Sequence, residues 1–270
     1  MPDLIGHLLP RIASTLAQNV IEKSSASPPR IFAYVVMPDL IGHLLFKACG
    51  PPKKICIFVL MKTAKNFFSL EGVDGSGKST QIDMLVRVLE SEGHKVVRLR
   101  EPGGAKISER IRELLLDPAF KGIMADDTEL LLYNAARAQV IHEIIKPALD
   151  AGNIVIADRF AWSTFAYQGY ARGLGADKVQ RLTELTCGGC FPELTVVLDL
   201  TVESSRKRMA IRGGAPDRLE SEKAEFFERV REGYLAAGRD YSDCVSVVNA
   251  DRTPDEVHSD VLSLIKAKLK

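Results

Sequence analysis

Apolar residues along this chain fall into two alternating patterns. Short aromatic or β-branched runs occur at Phe67 to Leu70, Lys95 to Leu99, Ile154 to Ala157, Thr195 to Leu200 and Val245 to Val248. Their length and continuity are those of strands buried on both faces. Between them lie stretches with helical spacing: Ile82, Leu85, Val86 and Leu89, then Ala105 to Leu116, then Thr128 to Leu149. The alternation predicts an α/β fold, a parallel five-stranded sheet flanked by helices on both faces. Ligands of such sheets gather at the carboxyl ends of the strands, so the chemistry is sought there.

Composition narrows the classes. The 270 residues suffice for one large α/β domain or two small ones, and a net charge of +1 gives no electrostatic case for nucleic acid or an anionic membrane as partner. No apolar run reaches the length of a membrane span; Ile31 to Phe46 is broken by Pro38, Asp39 and His43. Five cysteines, an odd count without a secretory signature, point to reduced thiols in a cytoplasmic setting.

The first sixty residues follow neither pattern. MPDLIGHLL occupies Met1 to Leu9 and again Met37 to Leu45, with a Pro/Ser-rich linker, Lys23 to Arg30, between the copies. A local duplication accounts for this better than a solenoid, whose repeats are longer and more numerous. Residues 1–60 are read as an N-terminal extension, poorly ordered or not native, with Met61 the expected start and 61–270 the functional domain. The rival reading, a transit peptide, is weakened by Asp3, Glu22 and Asp39.

The strongest chemical signal lies between the first strand and the first helix. Gly72 to Ser79 reads GVDGSGKS, filling G-x-x-x-x-G-K-[S/T] without a substitution. Glycines let backbone amides curl around an anion, Lys78 brings a mobile charge to the outer phosphates, and Ser79 offers a hydroxyl to Mg²⁺. Residues Gly72, Val73, Asp74, Gly75, Ser76, Gly77, Lys78, Ser79 and Thr80 are therefore expected to bind the phosphates of a nucleoside triphosphate. Three more clusters stand at strand ends: Arg100-Glu101-Pro102-Gly103-Gly104, Asp158-Arg159 with Ser163 to Gly169 beyond it, and Arg206, Arg208, Arg212 and Arg218 around a Gly-Gly-Ala-Pro segment. Arginines gathered in this way suit a substrate with several phosphates. The glycine-broken segment, about 206–222, reads as a small mobile lid.

From Met61 onward the chain resembles thymidylate kinase of the bacterial type. The phosphate loop with Asp74, the REPGG run, Tyr133-Asn134-Ala135-Ala136-Arg137, and Asp158-Arg159 leading to Ala166-Tyr167-Gln168-Gly169 follow the order of that family. The resemblance implies a P-loop nucleoside-monophosphate-kinase fold and transfer of a phosphoryl group from ATP to dTMP, with Mg²⁺ as cofactor. It also implies a homodimer. Lys78, Arg159, Arg212, Arg218 and Asp158 would be catalytic, with Ser79 and Asp158 serving Mg²⁺ or its waters. Arg159 and Arg100 would hold the acceptor phosphate, and Asp74 the sugar 3′-hydroxyl or a metal-bound water. Tyr133 would stack on the base and Arg137 hydrogen-bond it, one helical turn on. Ser163 or Thr164 would satisfy its other polar edge, beside Gln168, and Tyr167 would crowd the sugar 2′ position. The family often has Phe where Tyr133 stands, and no arginine follows Asp74 in the loop, so the lid arginines Arg212 and Arg218 are expected to meet the transferring phosphoryl.

Plainer readings stand beside these. Tyr133 and Arg137 also fit a packed helix face, Asp158-Arg159 a structural ion pair, and Arg206 with Lys207 a solvated helix face. Glu220 and Glu222 are expected to orient arginines. Cys187-Gly188-Gly189-Cys190 lacks a second pair for zinc and reads as a turn with free thiols. A guanine-nucleotide switch is the rival from another class, but N-K-x-D is missing from the sequence.

Overall fold

The computed structural model describes residues 63–213 and 215–269, all within the compact unit Ile57–Lys270. The duplicated segment, its linker and the expected start at Met61 lie outside the described residues, as does Gly214.

Strand β1 (Thr63–Glu71) feeds the phosphate loop and helix α1 (Lys78–Ser91). Then come β2 (Val96–Arg100), α2 (Lys106–Leu116), a 3-10 turn at Pro118–Phe120, and α3 (Asp126–Val140). Helix α3 runs through a π turn, Ile141–Ile145, into α4 (Lys146–Asp150). After β3 (Ile154–Asp158), the short α5 (Ala161–Thr164) continues as a second π segment, Phe165–Ala171. Helix α6 (Ala176–Cys187), β4 (Phe191–Asp199), α7 (Val202–Arg212), α8 (Ala224–Asp240), β5 (Val245–Asn249) and α9 (Pro254–Lys268) complete the order. The five strands form one sheet in the order β2-β3-β1-β4-β5, every neighbouring pair parallel.

The sheet is covered on both faces, as its continuous apolar strands require. Side chains alternate along β1: Phe68 and Leu70 join Ile82, Leu85, Val230 and Val261 in one core. Phe67 joins Val140, Ile145, Val155, Ala157 and Phe160 in the other. Cys187 and Cys190 are buried in that second core as free thiols, joined only by the turn bond from Cys190 N to Cys187 O, 3.0 Å. The single long helix expected over Thr128 to Leu149 is instead interrupted by the π turn. Pro147 has no N–H for the carbonyl one turn back and its ring crowds that carbonyl, so the ladder widens just ahead of it. Because all strands are parallel, Glu71, Arg100, Asp158 and Asp199 end on one edge of the sheet.

Candidate active site

At that edge the chain after β1 turns back on itself at Gly72, φ 137°. A Cβ at Gly72 would come within 2.5 Å of the Leu198 carbonyl, so only glycine fits. The loop enters α1 through Gly77 in the left-handed region, with no side chain capping the helix. The first amides of α1 are therefore open to an anion, aided by the helix dipole. Lys78 arches over the loop, its Nζ donating to Gly72 O at 3.0 Å and Val73 O at 3.1 Å. Burial and the neighbouring charge of Arg159 push its pKa down to about 8. Ser79 Oγ donates to Asp158 Oδ2 at 3.0 Å. That hydroxyl and carboxylate pair supplies two hard oxygens beside the phosphate loop, which fits Mg²⁺ with substrate phosphates and water completing its shell. No cluster of three or more metal-binding side chains occurs among the described residues.

Arg159 occupies the centre of the site with φ 71°, a left-handed backbone uncommon for a residue with a Cβ. Its Nη2 meets Asp74 Oδ1 at 2.7 Å, while Nη1 donates to Gly72 O at 2.8 Å and Tyr234 Oη at 3.0 Å. The guanidinium also lies over the Tyr167 ring, 5.4 Å from its centroid. Burial works against the charge on Asp74, yet Arg159 and Lys78 together hold its pKa below the ordinary value.

Beyond Arg159 the site becomes a pocket of aromatic rings around a second buried guanidinium. Arg137, on α3, is 2% exposed. Its Nε donates to Glu101 Oε2 at 2.9 Å, and its Nη2 to Phe160 O at 3.1 Å and Thr164 Oγ1 at 2.9 Å. Its Nη1 is buried with no partner, as are Glu101 Oε1 and Tyr167 Oη. Unpaired buried donors are costly, so this N–H marks a place for an acceptor on a ligand. Burial pushes the Glu101 carboxyl up to about 7 against the pull of Arg137.

One cavity of about 460 Å³ joins these parts. Its wall includes Asp74, Gly75, Gly77, Lys78, Ser79, Thr80, Arg100, Tyr133, Arg137, Asp158, Arg159, Ser163, Thr164, Tyr167, Gln168 and Arg212. Of the residues expected from sequence, Gly72, Val73, Ser76 and Arg218 are not in the wall; the first three shape the loop from behind. Arg218 departs most from expectation. It is 3% exposed, donates from Nε to Leu115 O at 2.6 Å and pairs through Nη1 with Glu129 at 2.6 Å. A buried arginine with a carboxylate partner and a carbonyl acceptor straps the lid segment to α2 and α3, and it does not line the cavity. Arg212 does face the cavity, half exposed, with Nη2 on Glu220 at 2.6 Å. Arg208 instead tops the loop, donating to Gly75 O and Ala250 O. Glu220 and Glu222 orient arginines as expected, Glu222 through Arg172 at 2.7 Å.

Several contributors escaped the sequence reading. Glu71 is fully buried at the end of β1, accepting from Phe160 N (2.7 Å), Ser163 N (3.1 Å), Ser163 Oγ (2.6 Å) and Tyr234 Oη (3.0 Å). Its signal was a lone acid ending an apolar strand. Arg112 lines the cavity with Nη1 on Pro102 O, and only its presence on the amphipathic α2 could have hinted at it.

Comparison with known proteins follows the same residues. The thymidylate kinase family model matches residues 70–261. The chain is 47% identical over 209 residues to a thymidylate kinase of Halothermothrix orenii, covering 75% of this chain and 97% of that protein. It is 48% identical over 196 residues to one of Syntrophotalea carbinolica, covering 71% and 90%. The crystal structure of thymidylate kinase from Ehrlichia chaffeensis superposes with a TM-score of 0.60 at 32% identity, covering 74% of this chain and 97% of that one.

Proposed function

This chain belongs to the thymidylate kinase family, and from that membership we propose how its cavity works. The protein catalyses ATP-dependent phosphorylation of dTMP to dTDP. The observation that carries the reading is the single cavity with a phosphate loop at one end and the unpartnered Nη1 of Arg137 at the other. That spacing suits a nucleotide whose phosphate points at the loop and whose base carbonyl meets the buried guanidinium.

Lys78 and the open amides of α1 hold the phosphates of ATP. Ser79 and Asp158 would hold Mg²⁺, which would supply positive charge against the phosphate oxygens. Arg159 and Arg100 hold the acceptor phosphate in line, with Asp74 fixing Arg159 and reaching the sugar hydroxyl. Arg212 meets the transferring phosphoryl; phosphoryl transfer asks mainly for positioning and charge stabilisation of this kind. Tyr133 stacks on the thymine, Thr164 and Gln168 complete its polar edge, and Tyr167 fills the space a 2′-hydroxyl would need. Arg218 is assigned to the lid's anchorage, not to the reacting oxygens.

We assign the activity to residues 61–270, since the wall runs from Asp74 to Glu220. A homodimer is part of the proposal, supported by Leu131 on α3 and Leu185 on α6, both exposed beside an apolar groove of about 640 Å³. A cytoplasmic site of action agrees with the free thiols among the described residues, none of whose helices is long and apolar enough to cross a membrane.

The test is ADP release by the full chain with Mg-ATP and, in turn, dTMP, dUMP, dCMP, UMP, dGMP and thymidine. Turnover with dTMP, reduced ~10²–10³-fold in Lys78→Ala, is expected. Turnover with another acceptor but not dTMP would discard the base-pocket assignments.

A further inference from the structure

One buried ionisable group has no part in the reaction as described above. Glu129, one turn before Tyr133 on α3, is 1% exposed and does not line the cavity. Donors reach it from three directions. Gln168 Nε2 donates to Oε1 at 2.7 Å. Arg172 donates from Nε to Oε1 at 3.2 Å and from Nη2 to Oε2 at 3.1 Å. Arg218 Nη1 stands 2.6 Å from Oε2.

Two guanidinium groups keep this carboxylate ionised. Burial opposes its charge, but Arg172, Gln168 and Arg218 hold its pKa below the ordinary value. An ionised carboxylate can only accept, so the Gln168 amide must turn its nitrogen toward Glu129. The orientation of that amide at the cavity wall is thereby set from behind. The other arms lead to the lid. Arg218 fastens it at Leu115 and Leu116, whose carbonyls accept its Nε and backbone N at 2.6 and 3.1 Å. Arg172 reaches on to Glu222 at 2.7 Å and stacks over Phe226 at 4.7 Å.

We propose that Glu129 is a positioning residue for the transfer: it sets the Gln168 amide against the base and, through Arg218 and the Arg172–Glu222 pair, fastens lid residues 217–222. One carboxylate then joins recognition of the base to the seating of the lid. The base half of this inference rests on the assignment of dTMP to the cavity; the lid half does not.

Glu129→Gln keeps the shape and removes the charge that fixes both arms. Its KM for dTMP is expected to rise at least tenfold while KM for ATP stays within twofold. Amide hydrogen exchange across 217–222, measured without nucleotide, is expected to quicken. A double-mutant cycle separates positioning from bulk stability. If Glu129 acts through Gln168, then adding Glu129→Gln to Gln168→Leu changes KM for dTMP by less than threefold. Fully multiplicative effects, or unchanged exchange in the lid, would overturn the inference. Should Glu129→Gln fail to fold, Arg218→Met removes the lid arm alone, and unchanged exchange across 217–222 in that variant would overturn it equally. Wild-type protein inactive on dTMP would sink the substrate assignment instead, leaving the lid half to be decided by exchange.

Discussion

Glu101 ties the stability of the fold to pH within the neutral range. Its carboxyl is buried against Arg137, and burial raises its midpoint from 4.5 to about 7. Between those values the folded protein holds a proton that the unfolded chain releases. Stability contributed by this group is therefore complete below pH 4.5 and is lost as pH rises toward 7. At roughly 1.4 kcal/mol per pH unit, the loss amounts to about 1 kcal/mol at pH 5 and about 3 kcal/mol at pH 8. Glu101→Gln mimics the protonated acid and keeps an acceptor for Arg137 Nε. Relative to wild type, the variant is expected to gain about 2.5 kcal/mol between pH 5 and pH 8. Urea unfolding of both proteins at the two pH values, followed by fluorescence of Trp162, measures the gap directly. A difference that does not change with pH would refute the reasoning, since it would mean that Glu101 titrates alike in both states.

Three other outcomes are expected. Lys78, with its pKa lowered from 10.5 to about 8, loses its charge above pH 8 in the free protein, so kcat/KM for ATP should decline from about pH 8 upward while the Lys78 contribution to stability rises over the same range, the unfolded chain keeping a proton that the folded one releases; Lys78→Met should remove that rise in urea unfolding. Arg212→Ala should lower kcat ~10²–10³-fold and leave unfolding within about 0.5 kcal/mol, because the side chain is exposed and bonded only to Glu220; a wild-type kcat would remove Arg212 from the reaction. Tyr167→Phe deletes a buried hydroxyl with no partner, so stability should hold or rise by about 1 kcal/mol in thermal unfolding, with preference for dTMP over UMP retained because the ring remains.

What could be read from the sequence was what is local. The phosphate loop is contiguous, and Arg100, Asp158 and Arg159 follow from where the short apolar runs of β2 and β3 stop. Tyr133 and Arg137 share a helix face by spacing alone. Roles set by partners far along the chain were hidden. Arg218 reads like a lid arginine beside its glycines, and only folding reveals Glu129 and the Leu115 carbonyl as its partners. Glu71 meets Tyr234 across 163 positions, a pairing that no periodicity announces. The π segment at Ile141–Ile145 keeps an apolar spacing close enough to 3.6 to pass for α-helix within the stretch Thr128 to Leu149.

The pairing of β1 with β3 sets a scale for the chemistry. Leu70 lies in register with Asp158, and Asp158 in turn with Arg100 on β2. Asp158 and Arg100, to which we assign the donor side and the acceptor phosphate, thus stand side by side on neighbouring strands about 4.8 Å apart. The gap between them is a property of the backbone ladder, so insertions in outer loops leave it untouched. A slip of one residue between β1 and β3 would reverse every side chain and abolish the alignment at a stroke. The distance between Asp158 and Arg100 is therefore fixed by backbone hydrogen bonds inside the sheet, not by the loops that surround it.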